Sequence, residues 1–476
     1  MRRGIRGLVG VAFAVALAAL GTAPASAARY INWSAYLLGP RHHSVNDAAT
    51  AITTANAADV TATWTWTPPP APAGYPNDTL AASPTVYKGR IYIGTNDGDE
   101  YALDEATGTP LWHYSTGVTA SSPCPARGIA STATVAKDPV TRRPVVYFGA
   151  ADGYLYALDA GDGSLVWRAQ VVIPSPTVND AYIWGSPTVA NGKIYIGMSS
   201  MCDKPLIRGG LKAFDQATGD LLATYYTVPE GSVGGSIWSS VGVDGKGHVY
   251  ATTGNEDQAG TPPGDSVSII RLDPTTLERE DIWTVPVDER GKDSDFGGSP
   301  TLYSANIGGS HPTSLVGACN KNGIYYVWRA ARLSKGPVWT YRVNDETSGP
   351  CLAAAIWDGS HLVVGGTATT IDGTSYGGSV QELDAATGAV VWQTGLPTYV
   401  IGSPTEDGAG VIGVGTYDMG QGNPNAAYLL DAGTGEILNT LSTNNAKVFA
   451  QLVFADQYVF VAATNGLTAY TAPSSP

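Results

Sequence analysis

Short segments that alternate apolar and polar residues dominate this chain, and residues 83–117 show the arrangement most completely. Residues 90–94 (RIYIG) and 100–104 (EYALD) are rich in β-branched and aromatic residues, so both are predicted to be strands. Asn96-Asp97-Gly98 lies between them and is typical of a hairpin turn, because glycine tolerates the positive φ that tight turns need. A strand before this pair and another from Leu111 complete a predicted antiparallel meander.

The same meander recurs along the chain. Its eight copies begin near Ser83, Ser131, Gly185, Ile237, Gly298, Ala353, Gly402 and Ala450. The last copy lacks its fourth strand, whereas residues 60–66 (VTATWTW) form a spare strand before the first copy. Four-stranded repeats of roughly 50 residues indicate a β-propeller. The sequence therefore predicts an all-β fold, an eight-bladed β-propeller of four-stranded antiparallel blades, closed by the N-terminal strand, which removes both free sheet edges. A solenoid is the alternative, but it requires capped ends that are not visible here.

A second motif, Asp-x-x-Thr-Gly-x-x-x-Trp, marks the start of the outer strand. It occurs at 104–112 and at 384–392, with partial copies that begin at Asp159, Asp215 and Asp431. The aspartate and threonine can satisfy turn amides, and the glycine can supply a left-handed turn residue. The tryptophan is predicted to be an apolar plug between adjacent blades. This motif specifies the fold and indicates nothing direct about chemistry.

The N-terminus indicates export. Arg2, Arg3 and Arg6 precede an apolar stretch at 8–20 and a small-residue cleavage site at 25–27, so residues 1–27 are predicted to be a secretory signal peptide. Residues 28–59 are predicted to be an irregular lead-in, and residues 60–472 a single propeller domain. No later stretch is long and apolar enough to span a bilayer, so the mature protein is expected to be secreted.

Charge and composition narrow the possible partners. Only 14% of the residues are charged and the formal net charge is −14, which argues against a nucleic-acid partner and against an anionic membrane surface. The 58 glycines and 31 prolines lie mainly at predicted turns. His42-His43 in the lead-in has no partner at metal-ligand spacing, so it is expected at the surface.

The repeats and their tryptophans resemble those of the pyrroloquinoline quinone (PQQ) β-propeller proteins over nearly all of the mature chain. That superfamily includes quinoprotein alcohol dehydrogenases, the polyvinyl alcohol dehydrogenase type among them. It also includes cofactor-free scaffolds such as the lipoprotein of the outer-membrane barrel assembly machine. The repeats do not separate the two groups, so residues at the channel mouth must decide.

The fourth repeat carries a segment similar to that of the dehydrogenases. The resemblance of residues 235–238 and 253–255 implies that Trp238 forms a flat floor under the quinone and that Asn255 is a metal ligand. A planar cofactor needs a flat aromatic face, and a hard cation needs oxygen ligands. The alternative interpretation is that Trp238 packs between blades and that Asn255 caps a turn.

The fifth repeat adds residues 292–297 (KDSDFG), which are similar to the segment that carries the catalytic base in the family. The resemblance implies that Asp295 is this base and also a metal ligand, with Asp293 as a second carboxylate nearby. Residues 319–323 resemble the family segment whose lysine or arginine hydrogen-bonds the quinone oxygens, which implies that Lys321 would stabilise the developing oxyanion. A polar loop between blades, and a hairpin at 322–323, are the alternatives.

The second and third repeats match the family less closely. The resemblance implies that Asp203 takes the place of a metal-binding glutamate, that Ser200 contacts the cofactor, and that Arg127 holds a cofactor carboxylate. Many dehydrogenases carry a threonine where this chain has Trp184. Many also carry two adjacent cysteines where this chain has only Cys124.

Two functions follow from the resemblance. The first is a secreted PQQ-dependent dehydrogenase that uses calcium or a lanthanide ion and oxidises a small or polymeric alcohol or polyol. It would need a separate electron-acceptor protein, because the chain has no Cys-x-x-Cys-His haem motif. The second is a non-catalytic propeller that serves as a binding or assembly scaffold.

The four cysteines allow three disulfide pairings in an oxidising compartment. Cys124 and Cys202 lie near the loops of neighbouring blades two and three, and Cys319 and Cys351 lie at blades five and six. Because bonded cysteines need Cα atoms within about 7 Å, these positions favour the pairs Cys124–Cys202 and Cys319–Cys351.

Overall fold

The strands of the chain form eight sheets, one for each repeat, arranged as a ring of blades. The computed structural model describes Met1 and residues 30–69, 79–257, 264–291, 293, 295–345 and 351–473. The predicted signal peptide, apart from Met1, lies outside the described residues. Among the described residues, the helices are short 3-10 turns, and none has the length and apolarity needed to cross a bilayer. The prediction of an all-β, eight-bladed β-propeller is confirmed.

Each blade is an antiparallel meander whose innermost strand borders the central channel. In blades 1 to 4 the strands are Thr85–Val86, Arg90–Gly94, Asp99–Asp104 and Pro110–Ser115; Thr134–Lys137, Pro144–Gly149, Tyr154–Asp159 and Leu165–Gln170; Thr188–Ala190, Lys193–Ser200, Gly210–Asp215 and Leu221–Tyr226; and Gly242–Val243, Val249–Thr252, Ser268–Leu272 and Arg279–Thr284. A short strand Ala181–Tyr182 also pairs with the end of the second strand of blade 3.

Blades 5 to 8 repeat the arrangement. Their strands are Thr301–Ala305, Thr313–Cys319, Ile324–Arg329 and Trp339–Arg342; Ile356–Trp357, His361–Ile371, Thr374–Asp384 and Val390–Leu396; Thr405–Asp407, Val411–Gly415, Ala427–Asp431 and Ile437–Leu441; and Val453–Ala455, Tyr458–Ala463, Gly466–Thr471 and the N-terminal Thr61–Trp66. The 3-10 turns are Tyr36–Leu38, Ala57–Asp59, Val287–Glu289 and Leu333–Lys335. The strand Thr61–Trp66 pairs antiparallel with Gly466–Thr471, so the outermost strand of blade 8 comes from the start of the propeller.

The predicted tryptophan plugs lie between blades. Each indole packs on the motif glycine of the next blade. A Cβ added to that glycine would come within 2.4–2.7 Å of the indole in all the pairs, which leaves no room for a side chain. The pairs are Trp64–Gly108, Trp112–Gly163, Trp167–Gly219, Trp339–Gly388 and Trp392–Gly435. In the turn itself, Asp104 Oδ1 accepts hydrogen bonds from the backbone N–H and the hydroxyl of Thr107. The structural role predicted for this motif is confirmed.

Hydroxyl groups join the innermost strands of neighbouring blades. The backbone N–H of Ser186 in blade 3, for example, donates to Ser240 Oγ at the start of blade 4 over 2.9 Å. Equivalent bonds link other neighbours: Gln451 to Ser83, Ser83 to Thr132, Thr132 to Ser186, Ser240 to Ser299 and Ala354 to Ser403. Side-chain oxygens therefore satisfy backbone donors that would otherwise be buried without a partner.

The lead-in runs around the channel and pairs with successive innermost strands. Backbone hydrogen bonds join Trp33 to Val86 in blade 1, Ser34 to Val135 in blade 2, Pro40 to Val243 in blade 4, Arg41 to Leu302 in blade 5, His43 to Trp357 in blade 6 and Ser44 to Glu406 in blade 7. Each partner is the second residue of its innermost strand, so the lead-in crosses the channel on the carboxyl side of the point where these strands begin and covers that side. The segment is thus more ordered than the sequence predicted.

The expectation that His42 and His43 lie at the surface is wrong. His42 is 2% exposed, and its Nδ1 lies 2.8 Å from the carbonyl oxygen of Pro300. His43 is half-buried, and its Nε2 lies 2.8 Å from the carbonyl oxygen of Leu302. Burial lowers the pKa of His42 to about 4, so this ring is neutral at physiological pH. Both rings therefore fix the lead-in to blade 5.

Both favoured disulfides are present. Cys124 is bonded to Cys202, with Cα atoms 6.6 Å apart, and Cys319 is bonded to Cys351, with Cα atoms 5.6 Å apart. Each bond joins neighbouring blades or their loops, as the positions of the repeats indicated.

The contact between Trp64 and Gly108 generates a stability prediction. Gly108 has φ +68°, and an added Cβ would lie 2.5 Å from the indole of Trp64. Gly108→Ala is expected to cost about 2–4 kcal/mol, because left-handed strain and overpacking add. Gly192→Ala is the matched control, since Gly192 has φ +75° but no atom within 4 Å of an added Cβ, and it should cost about 1 kcal/mol. Denaturant midpoints of the two variants measure the difference, and equal losses would contradict the plug.

Glu105 follows Asp104 in the same turn and is 4% exposed. Burial, and then the negative charge of Asp456, raise the pKa of Glu105 from the ordinary 4.5 to about 8. At a pH between these two pKa values, Glu105 keeps its proton in the folded protein but has lost it in the unfolded chain. Stability from this group is therefore lost as the pH rises through that window.

Glu105→Gln is accordingly expected to flatten the decline in stability between pH 5 and pH 8. The variant should match the wild type near pH 5 and exceed it near pH 8, because glutamine has no proton to lose. Urea unfolding at the two pH values measures this difference. Glu230→Gln, at an exposed site, is the control. A Glu105→Gln curve parallel to the wild-type curve would show that the buried carboxyl is not linked to folding.

Candidate active site

The predicted site residues come from one end of the blades. Trp238 and Asp295 precede the innermost strands of blades 4 and 5, whereas Asp203, Asn255 and Lys321 follow the second strands of blades 3, 4 and 5. In a propeller, the start of the first strand and the end of the second lie at the same end. This end is opposite to the one covered by the lead-in.

A cavity of about 300 Å³ lies at this end of the channel. Trp238, Trp184 and Arg127 line one part of it. Apolar side chains line another part: Leu80, Leu352, Ile401, Met419 and Phe449. The size and the mixture of aromatic, apolar and few polar groups are typical of a pocket for an organic ligand.

Trp238 connects the cavity to the polar residues. It lines the cavity instead of being buried between blades, and its Nε1 donates a hydrogen bond of 2.9 Å to Asp295 Oδ2. Gly297 lies against the indole, because a Cβ at this position would come within 2.6 Å of it. The glycine therefore allows the flat ring to occupy its place.

Asp295 and Lys321 form a buried ion pair. The Nζ atom of Lys321 lies 2.7 Å from Asp295 Oδ1 and 4.9 Å from the centre of the Trp238 ring. Asp295 is 2% exposed, and burial raises its pKa to about 6, although the positive charge of Lys321 opposes this shift. Burial alone would lower the pKa of Lys321, but the carboxylates of Asp295 and Asp293 outweigh it, so the net shift is upward.

Asp293 is the central residue of the network. It accepts hydrogen bonds from Lys321 Nζ over 3.1 Å and from Asn255 Nδ2 over 2.9 Å. Asn255 Nδ2 also donates to Asp203 Oδ2 over 3.0 Å. Asp203 and Asn255 are therefore in direct contact, and Asp295 joins them through Asp293 and Lys321. The flanking residues Lys292 and Ser294 lie outside the described residues.

The position of Asp203 is fixed by its neighbours. Its backbone has φ +59°, and it directly follows Cys202, which is bonded to Cys124. Trp184 donates a hydrogen bond from Nε1 to the carbonyl oxygen of Met201 over 3.0 Å. The disulfide from Cys124 thus anchors the loop that carries Asp203.

Arg127 and Ser200 lie outside this network. The Arg127 guanidinium lies 5.2 Å from the centre of the Trp184 ring, where both line the cavity. Ser200 is 4% exposed, and its Oγ accepts a hydrogen bond from the backbone N–H of Ile207 over 3.0 Å and lies 3.2 Å from Ser236 Oγ. The structure therefore gives Ser200 a loop contact that sequence reasoning missed.

The network has the chemistry of a cation site beside a planar ligand. Asp203, Asp293 and Asp295 carry three carboxylates, and Lys321 is the cation that pairs with two of them among the described residues. Carboxylate and amide oxygens are the ligands that calcium and similar hard ions prefer. The three carboxylates therefore fit a divalent or trivalent cation, the Asn255 amide would turn its oxygen toward such an ion in place of the nitrogen that now faces Asp203 and Asp293, and the indole face of Trp238 fits a planar ring.

Comparisons with known proteins identify a family to which the chain is similar. A family model described as the glucose/ethanol/alcohol dehydrogenase β-propeller domain, of the PQQ type, matches residues 33–332, which is more than half of the chain. The chain is 29% identical over 290 residues to quinohemoprotein alcohol dehydrogenase ADH IIB of Pseudomonas putida, covering 52% of this chain and 39% of that protein. It is 29% identical over 229 residues to the polyvinylalcohol dehydrogenase of Sphingopyxis sp. (strain 113P3), covering 42% of this chain and 32% of that protein.

The likeness among solved structures extends further along the chain. A europium-containing methanol dehydrogenase superposes with a TM-score of 0.72 at 17% identity, covering 92% of this chain and 90% of that chain. At this level of identity the likeness shows the fold alone. The chain spans less than half the length of the two relatives matched by sequence.

Proposed function

The chain belongs to the PQQ-type dehydrogenase β-propeller family, and from this premise we propose that it is a PQQ-dependent dehydrogenase that oxidises an alcohol or polyol. One observation carries the proposal. Asp203, Asn255, Asp293, Lys321 and Asp295 form one connected network that ends on the cavity-lining Trp238. A scaffold that only binds a partner accounts for the fold but not for this ionic network.

Different residues of the network and the cavity would bind the cofactor and the cation. Trp238 would support the quinone ring, Lys321 would donate to its oxygens, and the cavity-lining Arg127 would hold a carboxylate of the cofactor. Asp203, Asn255 and Asp295 would bind calcium or a lanthanide ion. When bound, PQQ supplies a two-electron acceptor and the cation supplies a Lewis acid beside it.

Asp295 is the proposed general base. Its carboxylate is buried, which makes it more basic than an exposed aspartate, and Lys321 favours its ionised form. Hydrogen bonding to Trp238 Nε1 holds Oδ2 in place, so a substrate hydroxyl in the cavity would transfer its proton to a positioned carboxylate oxygen. The apolar wall of the cavity excludes water from this step.

The partners follow from the same proposal. The substrate is a small or polymeric alcohol, and the apolar wall suits its carbon chain. The proposed route for the electrons is transfer to a separate acceptor protein. We also propose that the protein is secreted, as its predicted signal peptide indicates.

Asp295→Asn tests the base. The variant keeps the shape but cannot accept the proton, so dye-linked oxidation of alcohols should fall by about 10²–10⁴-fold while quinone binding is retained. The measurement uses protein loaded with PQQ and calcium, with turnover and dialysis-resistant quinone absorbance followed together. Asp372→Asn, on an exposed turn of blade 6, is the control. Full turnover by Asp295→Asn, or no quinone retained by the wild type, would refute the proposal.

Trp238 offers a separate test of cofactor binding. Trp238→Ala removes the flat face and should weaken PQQ binding by about 10- to 100-fold. Trp238→Phe keeps an aromatic face but loses the N–H that holds Asp295, so it should bind PQQ and lose mainly turnover. Equilibrium titration of quinone absorbance measures binding in both variants. Equal affinity of Trp238→Ala and the wild type would remove Trp238 from the site.

A further inference from the structure

A second polar cluster lies at the opposite end of the propeller. It surrounds the turn between the first two strands of blade 6, Ile356–Trp357 and His361–Ile371. The candidate active site lies where first strands begin, whereas this turn lies where a first strand ends. The cluster is therefore separate from the catalytic network.

Three side chains of this cluster converge on one point. His361 Nδ1 lies 3.5 Å from Asp358 Oδ2 and 3.4 Å from Glu382 Oε1. The three atoms all lie within 4.8 Å of one another. Ligand atoms about 2.0–2.1 Å from a tetrahedral zinc ion are about 3.3 Å apart, so this spacing suits a metal ion without large movement.

Glu406 of blade 7 faces the same seam. It pairs across the sheet with Ile412, so the two side chains share a face. Ile412 packs in one apolar cluster with Ile356 and Val363 of blade 6. Val363 pairs across its own sheet with Glu382, so these two side chains also share a face. Because Val363 contacts blade 7 and Ile412 contacts blade 6, Glu382 and Glu406 both point into the space between the two blades.

One carboxylate oxygen of Glu406 lacks a hydrogen-bond partner among the described residues. The residue is 8% exposed, and its Oε2 is buried without a hydrogen-bond partner among the described residues. A buried carboxylate that faces other carboxylates without a partner is unfavourable. A cation between the blades would remove this cost.

Blade 4 contains a similar trio with a different geometry. His248 Nδ1 lies 3.1 Å from Asp244 and His248 Nε2 lies 3.6 Å from Glu280, so each ring nitrogen has its own carboxylate. This is the arrangement of an ion pair. At His361 both carboxylates approach the same nitrogen, Nδ1, which also lies 3.1 Å from Ser360 Oγ, so the oxygens gather around one ligand atom.

We propose that Asp358, His361, Glu382 and Glu406 bind a divalent transition-metal ion, such as zinc, that joins blade 6 to blade 7. One imidazole nitrogen and carboxylate oxygens are a ligand set that zinc accepts. The ion would be structural, because it lies at the end of the blades opposite to the candidate active site. The proposal does not depend on the proposed dehydrogenase activity.

Zinc binding to the full chain tests the site. The protein is stripped with a chelator, titrated with zinc chloride by calorimetry, and its bound zinc is counted by elemental analysis after dialysis. His361→Asn should bind one zinc ion fewer per chain than the wild type. His248→Asn is the matched control and should bind as much zinc as the wild type. Because the comparison is between variants, zinc bound at the carboxylates of the candidate active site does not affect it.

Thermal unfolding supplies a second readout. Zinc should raise the unfolding temperature of the wild type and of His248→Asn, and it should have no such effect on His361→Asn. Glu382→Gln gives the same test if His361→Asn does not fold, and Glu406→Gln should weaken zinc binding. Equal zinc stoichiometry in His361→Asn, Glu382→Gln and the wild type, or no zinc retained by the wild type, would overturn the proposal.

Discussion

The unpaired edge of each innermost strand is the constraint on which this structure depends. Eight such edges face the channel, and their backbone groups need partners where they are buried. At one end, residues 33–44 supply these partners as they run from blade 1 to blade 7. At the other end, serine and threonine hydroxyls bond the start of one innermost strand to the next. The cavity lies at this second end, with Tyr36 of the lead-in among its lining residues.

The candidate site depends on the angle between neighbouring blades. Asp203 belongs to blade 3, Asn255 to blade 4, and Lys321 to blade 5, yet they share hydrogen bonds through Asp293. The tryptophan plugs and the hydroxyl bonds set these angles far from the polar groups themselves. The Cys124–Cys202 bond adds a local restraint beside Asp203. A loss of packing between blades would therefore separate residues that no single blade holds together.

Features that repeat along the sequence could be predicted, and features that join distant segments could not. The blades, the plugs and both disulfides follow from local patterns written several times. The sequence singled out Trp238 and Asp295 because both lie in recognisable segments, but their hydrogen bond joins two blades and was not predicted. The path of the lead-in was missed, since His42 finds its partner 258 residues away in Pro300. The central place of Asp293 and the loop contact of Ser200 depend on neighbouring loops, which repeat periodicity does not describe.

Both ends of the propeller gather more negative than positive side chains, but they differ in how that charge is compensated. At the open end, Lys321 pairs with Asp293 and Asp295, and Asp203 remains within the same network. One ammonium group beside three carboxylates leaves the site with affinity for a further cation where a ligand can enter. At the covered end, His361 is the basic group among Asp358, Glu382 and Glu406, and the apolar seam between blades prevents water from solvating Glu406. An excess of carboxylates therefore favours a bound cation in both of the proposed sites. At the open end this cation would take part in the reaction, and at the covered end it would join blade 6 to blade 7.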